Sequence, residues 1–201
     1  MIYFLPGMGA DHRMYPSPWP NLPDGCFIDW PAYTGEKKLS EMARSVVEKT
    51  PIPNGAWLMG SSLGGMIAGE ISKFVPVSDL ILIGSAKSKG EVGALLSLLI
   101  PLLDLAPLSF IQHLSGMVPA EIARMFAKSD PEFLRAMCRA KFQWDGLGES
   151  TVRVFRIHGS KDRVIPLPSN IRLVLDGGHL IAMTHPSECS EFVRSVTGTP
   201  C

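Results

Sequence analysis

The residues best placed to do chemistry lie in Ala56-Trp57-Leu58-Met59-Gly60-Ser61-Ser62-Leu63-Gly64-Gly65-Met66-Ile67-Ala68, an apolar run of strand length that passes directly into helical spacing (Leu63, Met66, Ile67, Ile71, Phe74). Between the two lies G-x-S-x-G, read as Gly60-Ser61-Ser62-Leu63-Gly64. A strand that turns at once into a helix strains the residue at the bend, and glycines two before and two after it remove the Cβ atoms that would collide. Ser62 is left at the apex, its hydroxyl over a helix N-terminus whose amide N–H groups favour negative charge. That spacing is a nucleophile elbow. The alternative is a glycine-rich turn that binds phosphate. It lacks both the G-x-x-x-x-G-K-[ST] pattern, since no lysine follows until Lys73, and the G-x-G-x-x-G pattern. Ser61 offers a neighbouring hydroxyl, but only Ser62 has both glycines in register.

A serine hydroxyl is a poor nucleophile without a base, and the base needs an orienting partner. His179 follows Asp176-Gly177-Gly178, directly after the strand-like run Ile171 to Leu175. Asp162 lies in His158-Gly159-Ser160-Lys161-Asp162-Arg163-Val164-Ile165-Pro166, just past the run Val152 to Ile157. Ser62, Asp162 and His179 thus occur in that order, each after a strand. Among the other candidates, His158 at a strand end reads as a structural hydrogen-bonder and His185, before Pro186, as a turn residue. His12 and Asp11 lie near the turn after the first strand, and His113 is open to either reading. Asp176 is the rival to Asp162, but three residues from His179 leave little room for the required geometry. No cluster has metal-ligand spacing.

These residues need a sheet to carry them. Ile2 to Leu5 read as a buried strand ended by Pro6-Gly7-Met8-Gly9. A proline-rich passage to Asp24 follows, then a strand from Cys26 to Trp30. Leu39, Met42, Ala43, Val46 and Val47 fall at i, i+3, i+4, i+7 and i+8, an amphipathic helix with Ser40 and Glu41 at its start and Pro51 beyond its end. Leu80 to Gly84 is an unbroken apolar run, as suits a parallel strand covered on both faces. The runs ending at Ile157 and Leu175 admit arginine and are expected nearer an edge. A final helix carries Cys189, Phe192, Val193 and Val196 on one side. Strands alternating with helices give a doubly wound α/β fold. Residues 87–150 interrupt that rhythm with amphipathic helices at about Ala120–Phe126 and Phe133–Phe142. Inserted where parallel strands end, the segment is expected to form a helical lid over the crevice.

The chain resembles an α/β-hydrolase over its whole length. The matching features are the elbow around Ser62, the segment His158-Gly159-x-x-Asp162-x-x-x-Pro166 and Gly178-His179. The start Phe4-Leu5-Pro6-Gly7-Met8-Gly9-Ala10-Asp11 is similar to that of small bacterial members. The resemblance implies Ser62 as nucleophile, His179 as general base and acid, and Asp162 as the residue that fixes the imidazole tautomer. It implies an oxyanion hole formed by the backbone N–H groups of Leu63 and Met8. It implies no cofactor, and a carboxylic ester as the small-molecule substrate. A thioester, a C–C bond, or a non-catalytic ligand binder that kept the pocket are the alternatives. Leu95, Leu99 and Leu103 of the lid are expected to wall an acyl pocket. Two departures stand out. Many members have His-Gly where this chain has Pro6-Gly7, so that histidine's hydrogen bonds are lost. The chain also begins at what would be the family's third strand, so a mainly parallel six-stranded sheet is expected, its edge open to a partner subunit such as a second copy in a homodimer.

The bulk composition excludes several other classes. The 201 residues suffice for one domain with a full core. At 46% hydrophobic and 19% charged the chain is globular, not disordered. Net charge is zero with no basic cluster beyond Lys37-Lys38, so nucleic acid is not an expected partner. Cys26, Cys138, Cys189 and Cys201 are scattered and form neither a zinc pattern nor a disulfide framework. The N-terminus has no basic n-region or small-residue cleavage site, which makes the cytoplasm the default address. Val92 to Ile111 approach the length of a membrane span, but Pro101, Asp104 and Pro107 break the run and it lies between strands of one sheet.

Overall fold

The computed structural model describes residues 1–92, 120–148 and 152–198. Its strands are β1 (Ile2–Leu5), β2 (Gly25–Phe27), β3 (Trp57–Ser61), β4 (Asp79–Ile83), β5 (Arg153–Gly159) and β6 (Leu173–Leu175). They form one sheet in the order β2-β1-β3-β4-β5-β6, and every neighbouring pair is parallel. The helices are α1 (Leu39–Lys49), α2 (Leu63–Ile71), α3 (Ala120–Lys128), α4 (Pro131–Phe142), α5 (Ile181–Thr184) and α6 (Pro186–Thr197). The six-stranded parallel sheet with helices expected from the sequence is therefore present. Among the described residues no helix is long and apolar enough to cross a membrane.

Successive side chains of a strand point to opposite faces, so each central strand feeds two cores. Tyr3, Leu5, Leu58, Leu80 and Leu82 face α1 and α2, joined by Phe133, Leu134 and Met137 of α4. Ile2, Phe4, Met59, Ile81, Ile83 and Ile157 face the other way, against Trp19, Cys189 and Val193. That second face is covered by α6 and, in place of a second long helix, by the proline-rich passage. Tyr15 and Trp19 pack edge-on against Phe4, 5.7 and 5.9 Å between ring centroids, and Phe27 stacks on it at 4.4 Å. Trp19 is fully buried and its indole N–H donates to Ala182 O at 2.7 Å, so the passage is tied to the chain just after His179.

α1 begins where the spacing expected. Glu41 Oε2 accepts from the backbone N–H of Lys37 and Lys38 at 2.7 and 3.2 Å, satisfying donors a helix start leaves free. α2 ends at Ile71, so Phe74 lies outside it and is exposed, under the Arg44 guanidinium at 5.1 Å. β6 is at the sheet edge as expected, with β5 one strand in. The two β5 arginines differ in setting: Arg153 clasps the buried Asp79 through two bonds of 2.7 and 3.0 Å, whereas Arg156 is itself buried, bonded to Glu91 and to Ser85 O.

Because the strands are parallel, β1, β3, β5 and β6 all end on the same side of the sheet. Leu5 lies opposite Gly60, Ser61 opposite Ile83, and Gly159 opposite Leu175. The loops that follow carry Met8, Ser62, Asp162 and His179, so the topology alone delivers four of the expected residues to one rim.

Candidate active site

Ser62 joins β3 to α2 with φ 53° and ψ −118°, a region that non-glycine residues rarely enter. The turn is clamped on both sides, its N–H donating to Ile83 O at 3.0 Å and its carbonyl accepting the Ser85 hydroxyl at 2.7 Å. Gly60 and Gly64 are where the bend needs them. A Cβ on Gly60 would run into the Gly64 backbone, and one on Gly64 into the carbonyls of Leu5 and Pro6. Ser62 is half-buried, whereas Ser61 is buried and its hydroxyl has no hydrogen-bond partner among the described residues.

Ser62, His179 and Asp162 come together in a row. His179 Nε2 is 2.8 Å from Ser62 Oγ, and His179 Nδ1 is 2.8 Å from Asp162 Oδ2. Asp162 Oδ1 accepts the backbone N–H groups of Val164 and Ile165 at 2.8 and 2.9 Å. Its Oδ2 also faces His158 Nε2 at 3.2 Å, and that nitrogen is 2.8 Å from Ile165 O. Burial pushes the Asp162 carboxyl up, but the hydrogen bonds from His158, His179 and the Ile165 N–H outweigh it and hold the group well below the usual carboxylate range. An ionised carboxylate only accepts, so His179 Nδ1 carries the proton and Nε2 presents its lone pair to the Ser62 hydroxyl. Such a row can move a proton from a hydroxyl to an imidazole held in one tautomer.

The other candidates separate clearly. Asp176 is exposed and pairs with Lys161 at 2.8 Å, away from His179. His185 Nδ1 meets the Thr184 hydroxyl at 2.9 Å at the start of α6. His12 is exposed, with Nδ1 2.9 and 3.0 Å from the two Asp29 oxygens. Asp11, His12 and Asp29 place donor atoms within 4.8 Å of one another, the spacing a cation would need. Asp11 is already held by Arg13 through bonds of 2.9 and 2.5 Å, and the group reads as a clasp between loops. Leu95, Leu99, Leu103 and His113 lie outside the described residues.

The backbone N–H groups of Met8 and Leu63 have no acceptor among the described residues. The Gly7 N–H beside them is occupied, 2.9 Å from Met14 Sδ. Gly7 O accepts from the Trp30 indole and from the Ala10 N–H, both at 3.1 Å. Sequence reasoning missed Met14, Trp30 and Ser85; none lies in a motif, and only the folded loops bring them here.

A strained serine, an imidazole and a buried carboxylate on three loops at one rim of a parallel sheet define the α/β-hydrolase class of architecture. The model of the Alpha/beta hydrolase family matches residues 2–192, and the chain belongs to that family. No curated protein matches the sequence. Among solved structures, the fold is similar to that of a hydrolase from Oleispira antarctica, at 17% identity over 96% of this chain and 90% of that one, TM-score 0.77. It is likewise similar to a thermophilic esterase from Thermogutta terrifontis, at 15% identity over 98% and 88%, TM-score 0.77. An enol-lactonase from Burkholderia xenovorans shares it at 16% identity over 96% and 89%, TM-score 0.72.

Proposed function

We propose that the chain is a serine hydrolase acting on a carboxylic ester of small or medium acyl length. The observation that carries this is the unbroken row from Ser62 Oγ through His179 to the ionised Asp162, with Ser62 on a clamped, strained turn. Ser62 Oγ attacks the ester carbonyl as its proton passes to His179 Nε2. The oxyanion is met by the N–H groups of Met8 and Leu63. The alcohol leaves with the proton from Nε2, and a water that gives its proton to the same nitrogen releases the acid from Ser62. Related folds that include an esterase and an enol-lactonase favour an ester over a thioester or a C–C bond.

Residues 87–150 act in this reading as a lid over that site. Within them Phe126 of α3 packs on Gly9, and Cys138 Sγ of α4 lies 3.7 Å from Met8 Sδ. Both elements therefore lean on the loop that bears one oxyanion donor. An apolar wall of this kind binds acyl chains, each buried CH₂ adding about 0.8 kcal/mol, roughly fourfold in affinity. kcat/KM for p-nitrophenyl esters should rise from acetate to a medium acyl length and then fall, and Phe126→Ala should move the maximum to longer chains. A fixed preference for acetate in both proteins would remove the lid from specificity.

The decisive test is labelling by a fluorophosphonate probe, which only an activated serine reacts with. Wild type should label and hydrolyse p-nitrophenyl esters. Ser62→Ala should do neither, a loss of up to roughly 10⁶ in rate. A wild type that binds esters but never labels would be a ligand binder, and the proposal would fail.

A further inference from the structure

The turn after β1 runs Pro6-Gly7-Met8, and Pro6 has no side-chain donor or acceptor with which to brace it. The peptide between Gly7 and Met8 is nonetheless held through both polar backbone atoms of Gly7. Gly7 N–H points to Met14 Sδ at 2.9 Å, and Gly7 O accepts the Trp30 indole N–H and the Ala10 N–H at 3.1 Å each. Gly7 C=O and Met8 N–H belong to one planar unit, so whatever holds the carbonyl also aims the N–H. A donor on the carbonyl also polarises the unit and strengthens its N–H as a donor in turn.

Trp30 comes from the loop after β2, and its ring is held against Phe133 of α4, 5.6 Å between centroids. The preceding residue, Asp29, takes the backbone N–H of His12 at 2.8 Å as well as its ring. Two successive residues after β2 thus clasp the loop after β1 at both ends. We infer that Trp30 is a positioning residue for the oxyanion hole: its indole N–H aims and polarises the Gly7–Met8 peptide so that Met8 N–H meets charge on the substrate oxygen. The inference rests on the serine-hydrolase reading above. Because the oxyanion exists only beyond the ground state, Trp30 acts on kcat and leaves substrate binding alone.

The test compares wild type with Trp30→Phe, which keeps a ring against Phe133 and removes the N–H. Each protein is assayed on a p-nitrophenyl ester and titrated with an alkylboronic acid. The boronic acid bonds to Ser62 Oγ, the proton passing to His179, and places a boronate oxygen where the oxyanion would lie. Losing a donor outright costs about 10²–10³ in kcat; losing the support of one should cost about tenfold, with KM unchanged and boronate affinity weakened by a similar factor. Trp57→Phe, which removes an indole packed on Phe155, should change neither. Should Trp30→Phe fold poorly, benzothienylalanine at position 30 keeps the shape without the N–H and should show the same pattern. A kcat within twofold of wild type, or a kcat loss with boronate affinity intact, would overturn the inference alone. A wild type that neither hydrolyses esters nor binds the boronic acid would overturn the underlying reading with it.

Discussion

Asp162 fills all its acceptor positions: two backbone N–H groups on Oδ1, two imidazoles on Oδ2. An asparagine there must turn an NH₂ toward a donor, and it would favour the wrong His179 tautomer. Asp162→Asn should lower kcat on the order of 10³–10⁴-fold, and Asp176→Asn, out in solvent beside Lys161, less than threefold. Comparable losses in steady-state assays would return the role to Asp176. The depressed Asp162 pKa has a sign as well. Its stabilising contribution is complete above the unfolded-state value of about 3.9 and is lost as the pH falls below it toward the lower native value. Urea unfolding should therefore show wild type and Asp162→Asn drawing together below about pH 4. Ser61 predicts the opposite behaviour. Its buried hydroxyl has no partner among the described residues, so Ser61→Ala should keep activity and unfold at the same or higher urea concentration. Ser62, Asp162 and His179 were legible in the sequence because glycine spacing and loop order encode them locally. Trp30, 23 residues from Gly7, was not, because an indole on a distant carbonyl leaves no local pattern.

α2 is buried along its whole length, between the sheet and the residues before β5. Gly64 and Gly65 let it approach the Leu5 and Pro6 carbonyls and the Ser85 side chain, and Gly69 admits Leu147. On its outer side the buried Glu70 takes the Trp144 indole N–H at 2.6 Å and the Lys73 ammonium, which also reaches Gly146 O at 2.8 Å. Gly64→Ala should therefore cost on the order of 2–4 kcal/mol by urea unfolding and abolish ester hydrolysis, because a Cβ there meets fixed backbone. Gly90→Ala, whose Cβ would meet nothing within 4 Å among the described residues, should be silent in both. The helices α1, α2 and α6 were readable from 3.6-residue spacing, and β4 from its unbroken apolar run. The passage from Ala10 to Asp24 has no periodicity to read. Its contribution to the core comes from single large side chains, Met14, Tyr15 and Trp19, set by turns rather than by a repeating element.

The molecule as a whole carries no formal net charge, with a sequence pI near 7.0. Such a surface offers little long-range steering, so kcat/KM for an uncharged ester should change less than twofold between about 0.05 and 0.5 M salt, and solubility should be lowest near neutral pH. A steep salt dependence in initial-rate measurements would point to an anionic or cationic substrate instead. One contact sets the site's timetable. Ser62 and His179 meet at 2.8 Å across 117 residues of sequence. Contacts of such separation close a large loop and form late. A nascent chain emerging from the ribosome would build β1 to β4 and the elbow long before His179 is synthesised, and it would hold an inert serine throughout. Refolding from urea should accordingly regain far-UV circular dichroism before it regains turnover, so that hydrolytic activity marks the last event of folding.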